Sequence, residues 1–165
     1  MRRLIPSLLS GAALVLLAMS PVRAACPQDL AVYAMDDGEL LIEFVSAEPS
    51  GARGWSNFRM IVGAAIMNGT AEWNAETGRS FGFADHDCPE NPSPQQMDDC
   101  TVWRGAIYAI LPGGIVDALP RSGEDAAERL ILVDLANQLR ASQYGQSAKL
   151  DLLPSDAVGL SGCQE

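Results

Sequence analysis

The N-terminal segment and the four cysteines together limit most strongly what this chain can fold into. Arg2 and Arg3 open the chain, Leu8–Met19 is apolar, and Val22 and Ala24 are small residues at the positions that a signal peptidase reads. This pattern predicts a secretory signal peptide over residues 1–24 and one disulfide-stabilised globular domain over residues 25–165. All four cysteines follow the predicted cleavage point, so they enter a compartment where thiols oxidise.

The spacing of the cysteines predicts two bridges. Cys88 and Cys100 bracket a proline-rich loop, which favours a local Cys88–Cys100 bridge and leaves Cys26 to pair with Cys163. A lipid anchor on Cys26 is an alternative because small residues precede it, but Arg23 stands where such signals carry an apolar residue. A zinc site is disfavoured because the chain has no C-x-x-C spacing and His86 is its single histidine.

The net charge limits the partners that this chain can have. Cleavage removes three arginines and leaves 8 basic and 21 acidic residues, a net charge of −13. Such a charge repels nucleic acid and anionic lipid, and it suits solubility, cationic partners or divalent ions. No second apolar run follows the signal, so we expect no stable membrane span after cleavage.

Alternating apolar residues predict an antiparallel sheet. Ala31–Met35 and Leu40–Val45 flank an Asp-Asp-Gly turn and form a predicted hairpin. Asn57–Met67 is the longest strand pattern, and Asn68-Gly69 after it predicts a two-residue hairpin turn that pairs Met67 with Thr70. Further strand patterns follow at Arg79–Ala84, Thr101–Leu111 and Ile115–Leu119.

A long C-terminal helix is the other predicted element. Ser122 is a candidate N-cap, apolar residues such as Ala127, Leu130 and Ile131 follow helical spacing, and Arg140 suits the last turn. Gly145 is a candidate end of this helix. The sequence therefore predicts an α+β fold: a curved antiparallel sheet of about five to seven strands with one long C-terminal helix packed on one face.

The predicted Cys88–Cys100 loop and the residues before it are rich in carboxylates. Ca²⁺ binds six to eight oxygen ligands, so these side chains form a candidate calcium site, although their spacing differs from an EF-hand. The alternative is a solvated acidic loop whose shape the disulfide fixes. The candidate ligands are Asp85, Asp87, Glu90, Asp98 and Asp99.

Two further features carry possible chemistry. Any hydrolase that uses a histidine has to use His86, and Gly159–Cys163 resembles a nucleophile elbow but ends in cysteine where that motif has glycine. Arg53 and Trp55 lie in a glycine-containing loop, where a cation beside a large aromatic side chain is typical of recognition surfaces.

These patterns favour an exported, non-catalytic binding or accessory protein of the bacterial periplasm, with an unknown protein or small-molecule partner. The alternatives are a hydrolase that uses Asp or Glu, and a calcium-binding structural or adhesive protein. We expect an enzyme to show a concave pocket with convergent polar groups. We expect a binding module to show an exposed apolar patch or an unpaired sheet edge.

Overall fold

Eight antiparallel strands close into a barrel in the computed structural model of the chain, which describes residues 26–36, 38–46, 55–150 and 155–164. The predicted signal peptide lies outside these residues. Nine strands are described: β1 (Ala31–Ala34), β2 (Leu40–Val45), β3 (Trp55–Val62), β4 (Ala65–Asn74), β5 (Arg79–Asp85), β6 (Thr101–Leu111), β7 (Ile115–Asp117), β8 (Arg129–Leu132) and β9 (Ala157–Cys163). The helices are α1 (Pro94–Cys100), α2 (Leu135–Ala141) and α3 (Gln143–Ala148).

Strands β1 to β6 pair in chain order, and β9 and β8 fill the wall between β1 and β6. The order β5-β4-β3-β2-β1-β9-β8-β6 closes because β5 and β6 also pair. Among the described residues, β7 pairs only with β6 and adds to the wall. The predicted β1–β2 hairpin is confirmed, with Val32 opposite Glu43. All of these pairings are antiparallel, so the connections alternate between the two ends of the barrel.

The predicted α+β fold with one long helix is wrong. The segment after Ser122 forms β8, and helix begins only at Leu135, after Asp134 adopts a left-handed φ of 60°. Leu130 and Leu132 belong to the wide apolar stripe that predicts a helix. They also suit a strand, because both face the core while Ile131 between them is half-buried. The strand forms in place of the helix because β8 pairs with both β6 and β9, and these pairings complete the barrel wall.

The predicted Asn68-Gly69 turn is also wrong. The chain turns at Gly63, with a φ of +58°, and β4 runs straight through Asn68 and Gly69. Gly69 lies opposite Phe58, and a Cβ at this position would stand 2.0 Å from the Phe58 ring. Glycine is therefore needed here for close packing against an aromatic ring and not for a turn.

Large side chains fill the interior of the barrel. Tyr33, Phe44 and Trp103 are each at most 1 % exposed, and the Trp103 ring lies against Gly82 and Gly105. A Cβ at Gly82 would stand 3.0 Å from that ring, so the glycines make room for the indole. Because the interior is a packed core, a ligand site is expected at a barrel end or on the outer wall.

The helical end of the barrel is covered by α2 and α3. The Trp103 indole N–H donates to the Val133 carbonyl at 3.0 Å. The Gln138 side chain exchanges two hydrogen bonds of 3.0 Å with the Arg104 backbone, at a point that β8 does not reach. The Tyr144 hydroxyl donates to the Val62 carbonyl at 3.2 Å. These bonds seat both helices on the ends of the strands.

Each end of the barrel carries one disulfide. Cys26 is bonded to Cys163 at the end that also holds the first and last described residues, which we call the mouth. Cys88 is bonded to Cys100 at the helical end. This is the same pairing that the sequence predicts. Among the described residues, no helix has the length and apolar character needed to cross a membrane.

Candidate functional site

A loop segment closes the mouth of the barrel. This strap, residues 118–128, connects β7 to β8. Leu119 of the strap is 1 % exposed, and its N–H donates to the Ser80 hydroxyl at 3.0 Å. Its carbonyl accepts from the Trp73 indole N–H at 2.6 Å. Leu119 therefore plugs the mouth, while β4 and β5 satisfy its backbone.

The other half of the strap is tied to a 3₁₀ helix, Gln28–Leu30, which precedes β1. The Asp29 carboxylate accepts from the Gly123 N–H at 3.0 Å. Partial burial raises the pKa of Asp29, but hydrogen bonds from Gly123 and from two serine hydroxyls outweigh it, so the pKa lies below its usual value. The ionised carboxylate thus holds the strap.

A buried polar pair lies below this tie. Gln28 is fully buried, and its side-chain oxygen accepts from the Tyr33 hydroxyl at 2.8 Å and from the Ala127 N–H at 3.3 Å. Burial raises the pKa of Tyr33, so the phenol stays neutral and acts as a donor. The Gln28 N–H also donates to the Glu124 carbonyl at 2.8 Å. Both halves of the strap are therefore hydrogen-bonded to the barrel.

A groove of about 930 Å³ lies between the strap, the β4–β5 turn and the β6–β7 hairpin. Its apolar lining includes Trp73, Leu111, Pro112 and Leu119. Trp73 is half-buried, and its hydrogen bond to the strap fixes the orientation of the indole. This mouth groove has the size and apolar lining that are typical of ligand sites.

The rim of the mouth groove is acidic. Asp117, Glu124 and Asp125 line it together with one cation, Arg121, and all four are exposed. Asp117 accepts from the Ala118 N–H at 2.7 Å, and Glu124 accepts from the Arg121 N–H at 2.7 Å. Hydrogen bonds thus hold two of the three carboxylates in place, and the rim has a net negative charge that favours a cationic ligand.

The β6–β7 hairpin forms one wall of the mouth groove and carries the exposed apolar side chains Ile115 and Val116, at 60 % and 61 % exposure. Leu111 opposes Ile115 at its tip. Among the described residues, β7 pairs with β6 on one side and with no strand on the other. One edge of β7 is therefore unpaired within the described part of the chain.

The sequence-predicted polar cluster lies at the opposite, helical end. His86, Asp87, Asp99 and Tyr144 line a cleft of about 470 Å³. The His86 Nδ1 atom is 3.5 Å from an Asp87 carboxylate oxygen, and the His86 and Tyr144 rings lie 4.9 Å apart. Burial raises the pKa of nearby Asp85, and the charge of His86 opposes that shift.

The candidate calcium ligands are divided among other partners. Asp98 lies 3.8 Å from the Arg104 guanidinium, and Asp99 accepts from the Gln95 amide at 3.1 Å. Glu90 is exposed. In the part of the chain that the structure describes, no three side chains of the metal-ligating types form a group able to hold an ion. The structure thus does not bring the five carboxylates together, and calcium binding stays a prediction.

The other predicted site residues have simple placements. Arg53 lies outside the described residues, and Trp55 begins β3, where its backbone pairs with Glu72. Gly159–Cys163 belongs to β9, and its Ser161 hydroxyl donates to the Val32 carbonyl at 3.0 Å. That segment is barrel wall and not a nucleophile elbow.

The fold and the groove define a closed antiparallel barrel with a ligand-sized site at its mouth. Comparisons with protein-family models, with curated proteins and with solved structures found no match to this chain. Sequence reasoning missed the residues of this site, notably Trp73 and Leu119. The sequence holds one signal that could have indicated the strap: the Pro112–Gly114 turn and Pro120 stand on either side of a short, largely apolar segment.

Proposed function

We propose that this protein is an exported, non-catalytic binding protein of the bacterial periplasm whose mouth groove receives a positively charged partner. The observation that carries the proposal is the groove itself, where the half-buried Trp73 and apolar walls lie inside a rim of three carboxylates and one guanidinium. A hydrogen bond of 2.6 Å already orients the indole, so binding does not have to order this side chain.

The charge of the whole chain supports the same partner. A net charge of −13 after signal cleavage attracts cationic molecules at long range, and the acidic rim continues that field into the groove. Two disulfides are typical of proteins that fold in an oxidising compartment. Both features agree with a protein that meets its partner outside the cytoplasm.

Binding is favoured over hydrolysis by a serine or cysteine nucleophile, because among the described residues the helical-end cleft holds neither in an activated state. The Ser147 hydroxyl donates to the Tyr144 carbonyl at 2.9 Å, and Cys100 is bonded to Cys88. His86 contacts the exposed carboxylate of Asp87 and the Tyr144 ring. This arrangement stabilises the loop and provides no activated serine or thiolate.

The test uses residues 25–165 with both disulfides intact and two defined peptide probes. One probe is an octapeptide of alternating valine and lysine, and the other replaces each lysine with glutamate. We expect the lysine probe to quench Trp73 fluorescence with a dissociation constant of about 1–100 µM, and we expect the glutamate probe to have no effect. Raising the salt concentration should weaken the binding of the lysine probe.

Matched charge variants locate the site. Asp117→Asn combined with Asp125→Asn should weaken binding of the lysine probe at least about threefold. Asp36→Asn combined with Asp98→Asn removes the same charge from the other end of the barrel and should leave binding unchanged. Equal binding of the two probes, or equal weakening by the two sets of variants, would contradict a specific site at the mouth.

A further inference from the structure

The unpaired edge of β7 indicates how the partner is held. Resting on the proposed function, we propose that the partner binds as an extended segment of alternating apolar and basic residues, added as a strand to the free edge of β7. The proposal depends on the topology of β6, on the composition of β7 and on the charge around the mouth groove.

The pairing of β6 shows which way the free edge faces. β8 pairs with residues Ile107–Ile110 of β6. Within that range, Ile107 also pairs with β5, and Ala109 and Ile110 also pair with β7. Since a strand has two edges, β5 and β7 share one edge of β6 and lie end to end along it. The free edge of β7 therefore faces the side of the sheet on which β4 lies.

The mouth groove begins beside that edge at Asp117, the one residue of β7 that lines it. Its near wall includes Leu111 and Asp117 of the β6–β7 hairpin, and its far wall includes Trp73 and Asn74 at the end of β4. A strand added to β7 would lie along this groove. Alternate side chains of the added strand would face the apolar lining, and the side chains between them would face the acidic rim.

The composition of β7 suits strand addition. Ile115 and Val116 are β-branched residues that favour extended backbone, and both are about three-fifths exposed. Exposed edges are commonly protected by charged side chains, proline or a bulge; β7 has no proline and no bulge, and its single charged residue is Asp117 at its end. Gly113 and Gly114, with φ of +85° and +78°, form the tight turn that presents the strand.

The negative charge of this chain favours a basic partner over a second copy of the chain itself. Two copies, each with a net charge of −13 after the predicted signal cleavage, would place their acidic rims against one another. A segment with basic residues instead places cations beside Asp117, Glu124 and Asp125. Electrostatic complementarity therefore favours a basic partner strand.

The test compares three forms of the valine–lysine octapeptide. In a strand, the N–H groups of alternate residues point to the same edge. One derivative carries N-methyl groups on every valine, and the other carries them on every lysine, so each loses the donors of one edge. Strand addition predicts that one derivative binds about tenfold or more weaker than the other. Equal binding of the two derivatives would overturn strand addition while leaving groove binding intact.

Amide hydrogen exchange gives a second measurement. The unmethylated peptide should slow exchange of the β7 amides that point to the free edge, and it should leave the β1–β2 hairpin amides unchanged. Unchanged exchange along β7 in the peptide-bound protein would contradict the added strand. Failure of the unmethylated peptide to bind at all would contradict the proposed function itself, so the two failures are distinguishable.

Discussion

The two ends of the barrel are closed in different ways. At the helical end, α2 packs Leu135 and Leu139 into the core, and both are fully buried. At the mouth, an extended strap inserts Leu119 and relies on neighbouring groups for its backbone hydrogen bonds. Each end also carries one disulfide.

The difference explains why the two ends offer different surfaces. A helix satisfies its interior backbone groups itself and needs caps only at its ends, which the Asp156 carboxylate supplies at the start of α2 and the Ser142 hydroxyl at the start of α3. A strap has to find partners for each buried N–H and carbonyl. It is therefore held at separate points, by Ser80, Trp73 and Asp29, and an open groove remains beside it.

The largest expected effect comes from the disulfides. Replacing Cys26 and Cys163 by alanine opens a loop of 137 residues, against 12 for Cys88 and Cys100. On the chain-entropy model the losses in the free energy of unfolding are about 5 and about 3 kcal/mol. Urea unfolding of the two double variants measures both. A larger loss for the Cys88–Cys100 pair would show that the helical end, and not the mouth, depends more on its disulfide.

The buried leucines separate stability from binding. Leu119→Ala and Leu139→Ala each remove a buried side chain and should each lower the free energy of unfolding by about 3 kcal/mol. Only Leu119→Ala changes the wall of the mouth groove, so it alone should weaken binding of the valine–lysine octapeptide under conditions where both variants remain folded. Equal loss of binding in both variants would mean that the binding site is not confined to the mouth.

A substitution of Asp29 tests how much its carboxylate contributes to holding the strap on the barrel. Asp29→Asn removes an ionised acceptor, and the free energy of unfolding at pH 7 should fall by about 1 kcal/mol. Because the pKa of Asp29 is lowered by folding, its contribution is present above the unfolded value of about 3.9 and is lost as the pH falls through the folded value. Chemical unfolding of both proteins from pH 7 to pH 2 should show the difference shrinking. A constant difference over this range would contradict the role of the charge.

Asp85 at the helical end should show the opposite dependence and the smallest effect. Burial raises its pKa, so the folded state loses stability as the pH rises from about 3.9 through the folded value. Asp85→Asn should therefore be neutral or stabilising at neutral pH, by at most about 0.5 kcal/mol, and this gain should vanish below about pH 4. A destabilised variant at neutral pH would show instead that the charged form of Asp85 makes a favourable contact.

Local patterns predicted much of the barrel wall. Thr101–Leu111 has the predicted bounds of β6, and a turn that includes Gly38, with a φ of +73°, joins β1 to β2 as expected. These predictions succeed because a strand with one buried face alternates residue by residue and its turn has its own residue preferences. The strand patterns could not show that the sheet closes, since closure depends on the pairing of β5 with β6 and of β1 with β9.

The wrong secondary-structure predictions concern residue types that suit two different local structures. Gly69 signals a turn after Asn68, yet in the barrel it makes room for the Phe58 ring. Leu130 suits a helical stripe, yet it lies inward on β8. In both cases a contact with a residue distant in the chain outweighed the local preference.

The candidate site lay beyond sequence reasoning for the same reason. Trp73 lies 46 residues before Leu119 in the chain, and nothing in the spacing of Trp73, Leu119 and Asp125 joins them. The visible acidic loop around His86 drew attention because its residues are adjacent in sequence. The structure instead places a larger groove at the opposite end, built from three separate segments.

The sequence by itself determined strands β1, β2 and β6, the charge and the cysteine pairing that the structure shows, because these depend on alternation, composition and loop spacing. Only the tertiary structure decided that the sheet closes into a barrel, that the segment around Leu130 is a strand, and that a strap beside Trp73 leaves a groove with a free strand edge. The physical reason is that closure and groove formation depend on pairing between segments far apart in the chain, and local residue preferences carry no information about which segments meet.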